Sequence, residues 1–568
     1  MKKILYKIKR TLSLDGFSIA PVYTQITLLI LLSLSIISLF ALYYGSFSAS
    51  YFTFMDPTNI PEENVFIVLL EALTGLIIAS FVISILSSSL ENFIEKIKTG
   101  TLAFKKNNHI VFFNINEKIF QILTELNDKF SELEQIQEIV IIFKTPDEVE
   151  DFIHDINFND YEYLSIFVKY GNHLEEETYS KFNLKNARSI TILKDGDDFS
   201  SDNEQLKIYT SLLSANIDFN TINLTVEGNS TSKVNEIYNG LKKLENFYNI
   251  SYIDTNKFLA KLLNRTLVDV TYYKIYEEIF SFDGYEIYIK SAKDLDIDNK
   301  LYKDIALELD DALLIGIKRD GNIILNQPSK TIVKSDELII IAKNENEISL
   351  KTKDIEIAPI HIEEPSEIVY KKICTIGKTI DTDEILEFLN DKAKKDFKEI
   401  NFDSFEEYLD PKFLTELKED NYDVIIINLS EEETIRYILY IVTLFGKDNT
   451  FVKNIVSIVS NPENAKIIEK ITGNHNVILS QRISAKFIAQ LCFETELVDI
   501  ISELVSAVGN EFNIIENNFQ EFSLDQLKMQ LLQNNMSFIG LKNGDNIDIN
   551  GKNLSEATHI IVLSEGLV

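Results

Sequence analysis

Two long apolar runs stand near the start of the chain. Thr24 to Tyr44 (TQITLLILLSLSIISLFALYY) passes about twenty residues without a charge, enough to cross a hydrocarbon layer of roughly 30 Å at 1.5 Å per residue. Val65 to Leu90 is long enough to span with some tilt and holds one ionisable side chain, Glu71. The pattern predicts a membrane hairpin with spans at 24–44 and 65–90. Lys2, Lys3, Lys7, Lys9 and Arg10 precede the first run, Lys96, Lys98, Lys105 and Lys106 follow the second, and the connecting loop has neither Lys nor Arg. That bias puts both termini on the cytoplasmic side of a cell membrane crossed twice. A secretory signal peptide would also show a basic start and an apolar stretch, but this stretch is too long and a second span follows.

After Asn108 the pattern becomes that of an α/β protein. HIVFFN (109–114), EIVIIF (138–143), LSIFVKYG (164–171) and ARSITILKD (187–195) read as short buried strands, with helical patterns such as NEKIFQILTELNDKF (116–130) between them. Alternation of this kind predicts a parallel sheet with helices on both faces. The helical face around Ile119, Phe120, Leu123 and Leu126 reads as core.

The plan then repeats. KKICTIG (371–377) opens a second series with the helical DTDEILEFLND after it, and YDVIIINLSEEE (422–433) parallels ARSITILKDGDD. LLIGIKRDGNIILNQPSKTIVKSDELIIIAK (313–343) aligns with SFIGLKNGDNIDINGKNLSEATHIIVLSE (537–565), pairing Gly316 with Gly540 around turn residues. The expected organisation is a hairpin (1–106), a first Rossmann-like lobe (107–265) with a β-rich lobe (266–350), and a second Rossmann-like lobe (367–508) with its own β-rich lobe (509–568). A charged, proline-bearing stretch from Lys351 to Ser366 is the junction.

The net charge of −33 repels phosphate backbones and argues against nucleic acid as a partner. The two cysteines, Cys374 and Cys492, have no CxxC spacing, so neither a disulfide framework nor a zinc knuckle is on offer. The histidines are scattered, with no HExxH pair, and no GxSxG elbow is present, so catalysis finds no support. A dinucleotide site needs glycines directly after the first strand. Asn114-Ile115-Asn116 stands there in the first lobe and a single glycine, Gly377, in the second.

Three features carry candidate chemistry. The segment DGDDFSSDNE follows the carboxyl end of the fourth strand and offers Asp195, Asp197, Asp198, Asp202 and Glu204 as hard oxygen donors for a regulatory Ca2+, though without EF-hand spacing; in so acidic a chain a solvated loop is the plainer reading. Glu71, in the outer third of the second span, either faces a partner inside the protein or snorkels to the interface. Gly75 one turn later is a bending point for a gate or a close helix contact.

With the hairpin and the tandem α/β lobes in place, the chain resembles a Castor/Pollux-type ion channel, whose cytoplasmic part is built from RCK (regulator of potassium conductance) units. The residues that carry this are IEKIKTGTLAFKKNNHIVFFNINEKIFQILTEL (94–126), YGNHLEEETYSKFNLKNARSITILKD (170–195), IYEEIFSFDGYEIYIK (275–290), and NGLKK followed by IDTNKFLAKLLN. The resemblance implies a homo-tetramer in lipid, because two spans per chain cannot enclose an aqueous path. It casts Ser46 to Phe54 as a short re-entrant helix and Met55, Asp56, Pro57, Thr58 and Asn59 as the filter backbone. Glu62 and Glu63 would lie at the mouth, and rings of Asp56 and these glutamates would concentrate permeant cations. From the residues alone, 46–64 reads rather as an extracellular connector with ordinary Asp-Pro turn chemistry, and it is the resemblance that favours a pore loop. No Thr-Val-Gly-Tyr-Gly filter is present, which leaves potassium selectivity against a non-selective or calcium-permeable pore open. The expected function is a ligand-gated cation channel; the alternatives are a non-conducting, membrane-anchored RCK sensor or scaffold and, disfavoured by the missing glycines, a nucleotide-dependent enzyme.

Overall fold

The computed structural model describes residues 22–56, 65–195, 199–215, 217–228, 237–238, 240, 249–351, 372–377, 396–473, 476–505, 509–544 and 546–565. The chain divides into two compact units, residues 1–102 and 103–568.

Among its described residues the first unit contains three helices: α1 (Val22–Tyr44), α2 (Phe47–Met55) and α3 (Val65–Lys98). Both long helices are apolar enough over their length to cross a membrane. The second runs on to Lys98 rather than stopping at Leu90, since nothing in LENFIEKIK breaks a helix. Gly45 adopts the left-handed backbone (φ +64°) that closes the turn after α1. Ser46 then caps α2, its side chain accepting from the Ala49 amide at 3.4 Å.

The second unit opens with a six-stranded sheet, every neighbouring pair parallel, in the order β3-β2-β1-β4-β5-β6, where β1 is Ile110–Phe113, β2 Gln137–Phe143, β3 Leu164–Tyr170, β4 Ser189–Ile192, β5 Asn223–Gly228 and β6 Ile250–Asp254. The central strands are buried on both faces, which is why they read as unbroken apolar runs. The helix between β1 and β2, α4 (Lys118–Glu132), starts at Lys118, and its buried face is Ile119, Ile122, Leu123, Leu126 and Phe130. Phe120 belongs to the other side. It is 36% exposed and stacks on Phe152 at 5.6 Å, whereas Ile122 takes the core position expected of it.

The second parallel sheet has five strands in the order 398–400, 373–376, 424–427, 455–459, 477–479, the first lobe's order without its outermost strand. The helical pattern at 381–391 and most of the junction from Lys351 to Ser366 lie outside the described residues. Each lobe is followed by a four-stranded antiparallel sheet. In both, the register slips at the aligned glycine, between Leu314 and Gly316 in one and between Phe538 and Gly540 in the other. A Cβ on Gly316 would stand 2.9 Å from the Ile324 carbonyl, and one on Gly540 2.5 Å from that of Asp548. The internal duplication therefore reaches the level of a shared bulge.

The lobes join where α4 lies against α6 (Ser480–Leu491), with α5 (Thr255–Val268) packed beside them in one continuous core. Inside this seam Lys486 Nζ is 4.0 Å from Glu125, both almost wholly buried. Burial pulls the Lys486 ammonium down and pushes the Glu125 carboxyl up, each partly offset by the charge of the other.

Candidate functional site

In the first unit α2 packs between the two long helices. Ser50 Oγ lies 2.9 Å from the Ile37 carbonyl of α1 and within hydrogen-bond reach of the Glu71 carboxylate of α3, so one hydroxyl ties the short helix to both long ones. Glu71 is completely buried, a packed position rather than a snorkelled one. One turn further along α3, the backbone of α2 comes so close to Gly75 that a Cβ there would lie 2.1 Å from the Phe54 carbonyl oxygen. Thr53 and Phe54 face inward, whereas Tyr51, Phe52, Met55 and Asp56 are exposed on the single chain. Of the expected filter and mouth residues, Pro57, Thr58, Asn59, Glu62 and Glu63 lie outside the described residues.

Of the five acids proposed for Ca2+, Asp197 and Asp198 and the side chain of Asp202 lie outside the described residues. The other two share a lysine. Lys144 Nζ, at the end of β2, is 2.5 Å from Asp195 and 2.7 Å from Glu204. Burial works to lower the Lys144 pKa, but hydrogen bonds and charge from the two carboxylates leave it raised. Any cation bound by these two oxygens has to displace that ammonium.

At the carboxyl end of β1, where the fold would place a glycine, Asn114 itself takes the left-handed backbone (φ +52°), and Gly377 does so after the matching strand of the second lobe (φ +88°). Asn114 is buried and contacts His173, whose Nδ1 is 3.1 Å from Asn114 Oδ1 and whose Nε2 is 3.0 Å from the Ile142 carbonyl. Exchanging the Asn114 amide O and N gives the imidazole one donor and one acceptor, as a neutral ring needs, and satisfies the otherwise unpartnered Nδ2. Burial pulls His173 down to about 4, and His109, whose Nε2 is 3.1 Å from the Phe182 carbonyl, is likewise lowered to about 4 by burial.

A cavity of about 460 Å³ opens where the carboxyl ends of the two parallel sheets meet. The first lobe lines it with Asn116, Lys118, Lys194 and Thr255, the second with Asn428, Glu431, Ser460 and Gln481. Gln481 reaches across to Glu117 at 3.1 Å. Its size suits a small polar ligand, and it lies outside the strand ends, where open α/β sheets bind theirs. Sequence reasoning missed this cleft because its walls come from two lobes far apart along the chain, Asn116 and Asn428 for example, and nothing local marks them as neighbours.

A family model described as "Castor and Pollux, part of voltage-gated ion channel" matches residues 256–358, which include the 275–290 block. "Probable ion channel SYM8" of Pisum sativum is 23% identical over 278 residues, 48% of this chain and 30% of that protein. "Ion channel DMI1" of Medicago truncatula is also 23% identical over 278 residues, with the same 48% and 30% coverage. The matched part thus spans under a third of the length of these curated relatives. Among solved structures, the human SLO3 gating ring superposes with a TM-score of 0.55 at 12% identity, covering 81% of this chain and 99% of that one. The resemblance read from the sequence is borne out by these matches, and so is the fold class: two membrane-length helices followed by α/β lobes that share the fold of that ring.

Proposed function

We propose that the chain is one subunit of a ligand-gated cation channel, four hairpins surrounding a pore and their cytoplasmic lobes forming the ring that moves the gate. The observation that carries this reading is the short helix α2, lodged between two membrane-length helices and held there by Ser50, Glu71 and the glycine contact at Phe54. A simple external connector has no need of such anchoring, whereas a segment that must hold irregular backbone at membrane depth does. Met55 to Asn59 then forms the filter, and Asp56 with Glu62 and Glu63 draws cations toward it. The similarity to proteins named as ion channels supports the same reading.

A ligand opens such a ring only through differential affinity for its two geometries. The cleft between the lobes is suited to that, because its walls come from both of them, so a ligand there would sense a change in their geometry. Ca2+ at the 195–204 loop is a second input, in competition with Lys144.

Purified protein in liposomes, assayed for K+, Na+ and Ca2+ flux with and without Ca2+, tests the proposal, with Asp56→Asn for comparison. Conduction that Asp56→Asn alters supports it. Absence of current with every cation leaves a membrane-anchored sensor as the better account, and conduction indifferent to Asp56→Asn removes the filter assignment.

A further inference from the structure

Glu227 is the next-to-last residue of β5, its side chain is wholly buried, and four groups converge on it. The Lys118 ammonium pairs with Oε1, and Thr255 Oγ1 donates to the same oxygen at 3.1 Å. Asn116 Nδ2 and the Lys194 amide each donate to Oε2 at 3.2 Å. Asn116 and Lys118 stand at the start of α4, Thr255 is the first residue of α5, and Lys194 follows β4. The carboxylate thus occupies the crevice beyond β1, β4 and β6, facing the first turns of two helices. A doubly wound sheet seats the anionic part of a ligand in that place.

The second lobe is built differently there. Phe113, Ile192 and Val226 stand level across β1, β4 and β5, as Ile376, Ile427 and Ser457 do across the matching strands. One residue further, the first lobe has Asn114 and Glu227 where the second has Gly377 and Ile458. Only the first lobe carries an acid at this level.

We propose that Glu227 is a tethered anion, a carboxylate supplied by the chain itself that fills the first lobe's seat for a phosphate or carboxylate ligand and holds the turn from β1 into α4 closed without one. An attached anion loses no translational freedom on docking, so a free one competes at a disadvantage. Lys118, only 11% exposed, depends on the arrangement, because a buried ammonium without its partner is costly. The balance of charges agrees: burial pushes the Glu227 carboxyl up, yet Lys118 and the Lys194 amide hold it below its ordinary range. Ligand response is left to the remainder of the interlobe cleft and to the second lobe. The inference stands whether or not the hairpin conducts.

The test is thermal unfolding of the full chain in detergent, followed with a thiol-reactive dye. Cys374 and Cys492 are its only cysteines and both are buried in the second unit, so the dye reports opening of that unit. Wild type should gain in acetate or phosphate, against chloride of equal ionic strength, only the small general shift that excluded anions give any protein. Glu227→Ala should melt roughly 5 °C or more lower and regain at least half the loss in acetate or phosphate, and Lys118→Met combined with Glu227→Ala should abolish that rescue. Should Glu227→Ala not fold in any of these salts, Glu227→Gln, which keeps the shape and removes the charge, decides: a lowered melting temperature supports the proposal. Wild-type melting in either glutamate variant, an acetate or phosphate shift as large in wild type as in Glu227→Ala, or a rescue that survives without Lys118 overturns it.

Discussion

Ser50 and Glu71 meet in the interior of the N-terminal unit, the hydroxyl of the short helix against the carboxylate of a membrane-length one. A buried hydrogen bond to an ionisable group is worth about 1.5–3 kcal/mol, and leaving one partner unsatisfied costs as much again. Ser50→Ala and Glu71→Ala should each lower the stability of the unit and reduce cation flux in liposomes, while Glu71→Gln, which keeps a hydrogen-bonding group of the same shape, should do less. Wild-type flux and stability in Glu71→Ala would show that the contact does not position α2.

Gly75 and Gly45 provide a matched pair. A methyl group at Gly75 meets the Phe54 carbonyl at 2.1 Å, and backbone cannot yield as a side chain does; Gly45 has nothing within 4 Å but a left-handed φ. Gly75→Ala should abolish flux by pushing α2 out of place, while Gly45→Ala should cost only the local strain, about 1–2 kcal/mol, and still conduct. Equal effects of the two substitutions on flux would mean that the close approach is unimportant.

His109 and His173 make the second unit acid-sensitive. Both are held neutral by burial, with folded pKa values of about 4 against an ordinary 6.5 in the unfolded chain. A depressed folded pKa contributes stability above the unfolded value that is lost on acidification. The unfolded chain takes up protons first, so stability should fall as pH drops from about 6.5 toward 4, by at most about 3 kcal/mol per histidine. Circular-dichroism melts across that range should show the decline, and His109→Gln with His173→Gln should flatten it.

Lys144 pairs with two of the acids proposed for Ca2+. Removing its ammonium takes away the counter-charge that Asp195 and Glu204 share, so Lys144→Met should strengthen Ca2+ binding several-fold by titration calorimetry if these oxygens coordinate the ion. A Ca2+ response unchanged by the substitution would place the calcium site elsewhere.

Gly540 and Gly316 should behave alike, because each sits at the register slip of its sheet with a neighbouring backbone carbonyl inside 3 Å of a would-be Cβ. Alanine at either should destabilise by about 1–3 kcal/mol in chemical denaturation, with a larger effect at Gly540, where the contact is tighter. A neutral outcome at both would mean that the bulges adapt.

Much of the architecture was legible in advance. Buried parallel strands such as Ile110–Phe113 declare themselves as β-branched and aromatic runs, and the duplicated hairpins at 313–343 and 537–565 preserve even the glycine that their bulges require. Helical faces were less secure. Phe120 fits the 3.6-residue period as well as Ile122 does, and only the neighbouring Phe152 shows which of them is covered. Nothing local marks Glu125 and Lys486 as partners, and they come together only where α4 and α6 pack.

What the amino-acid sequence determined by itself is what local chemistry decides: the length of the apolar runs, the period of the strands and helices, the excess of acid, the repeat. Which charges meet was left to the tertiary structure. Glu71 finds Ser50 across 21 positions, Lys144 finds Asp195 across 51 and Lys118 finds Glu227 across 109, separations over which the chain's periodicity carries no information. The physical reason is that a lone buried charge is intolerable but any suitably placed counter-charge relieves it, and which one is within reach is settled only when the elements have packed.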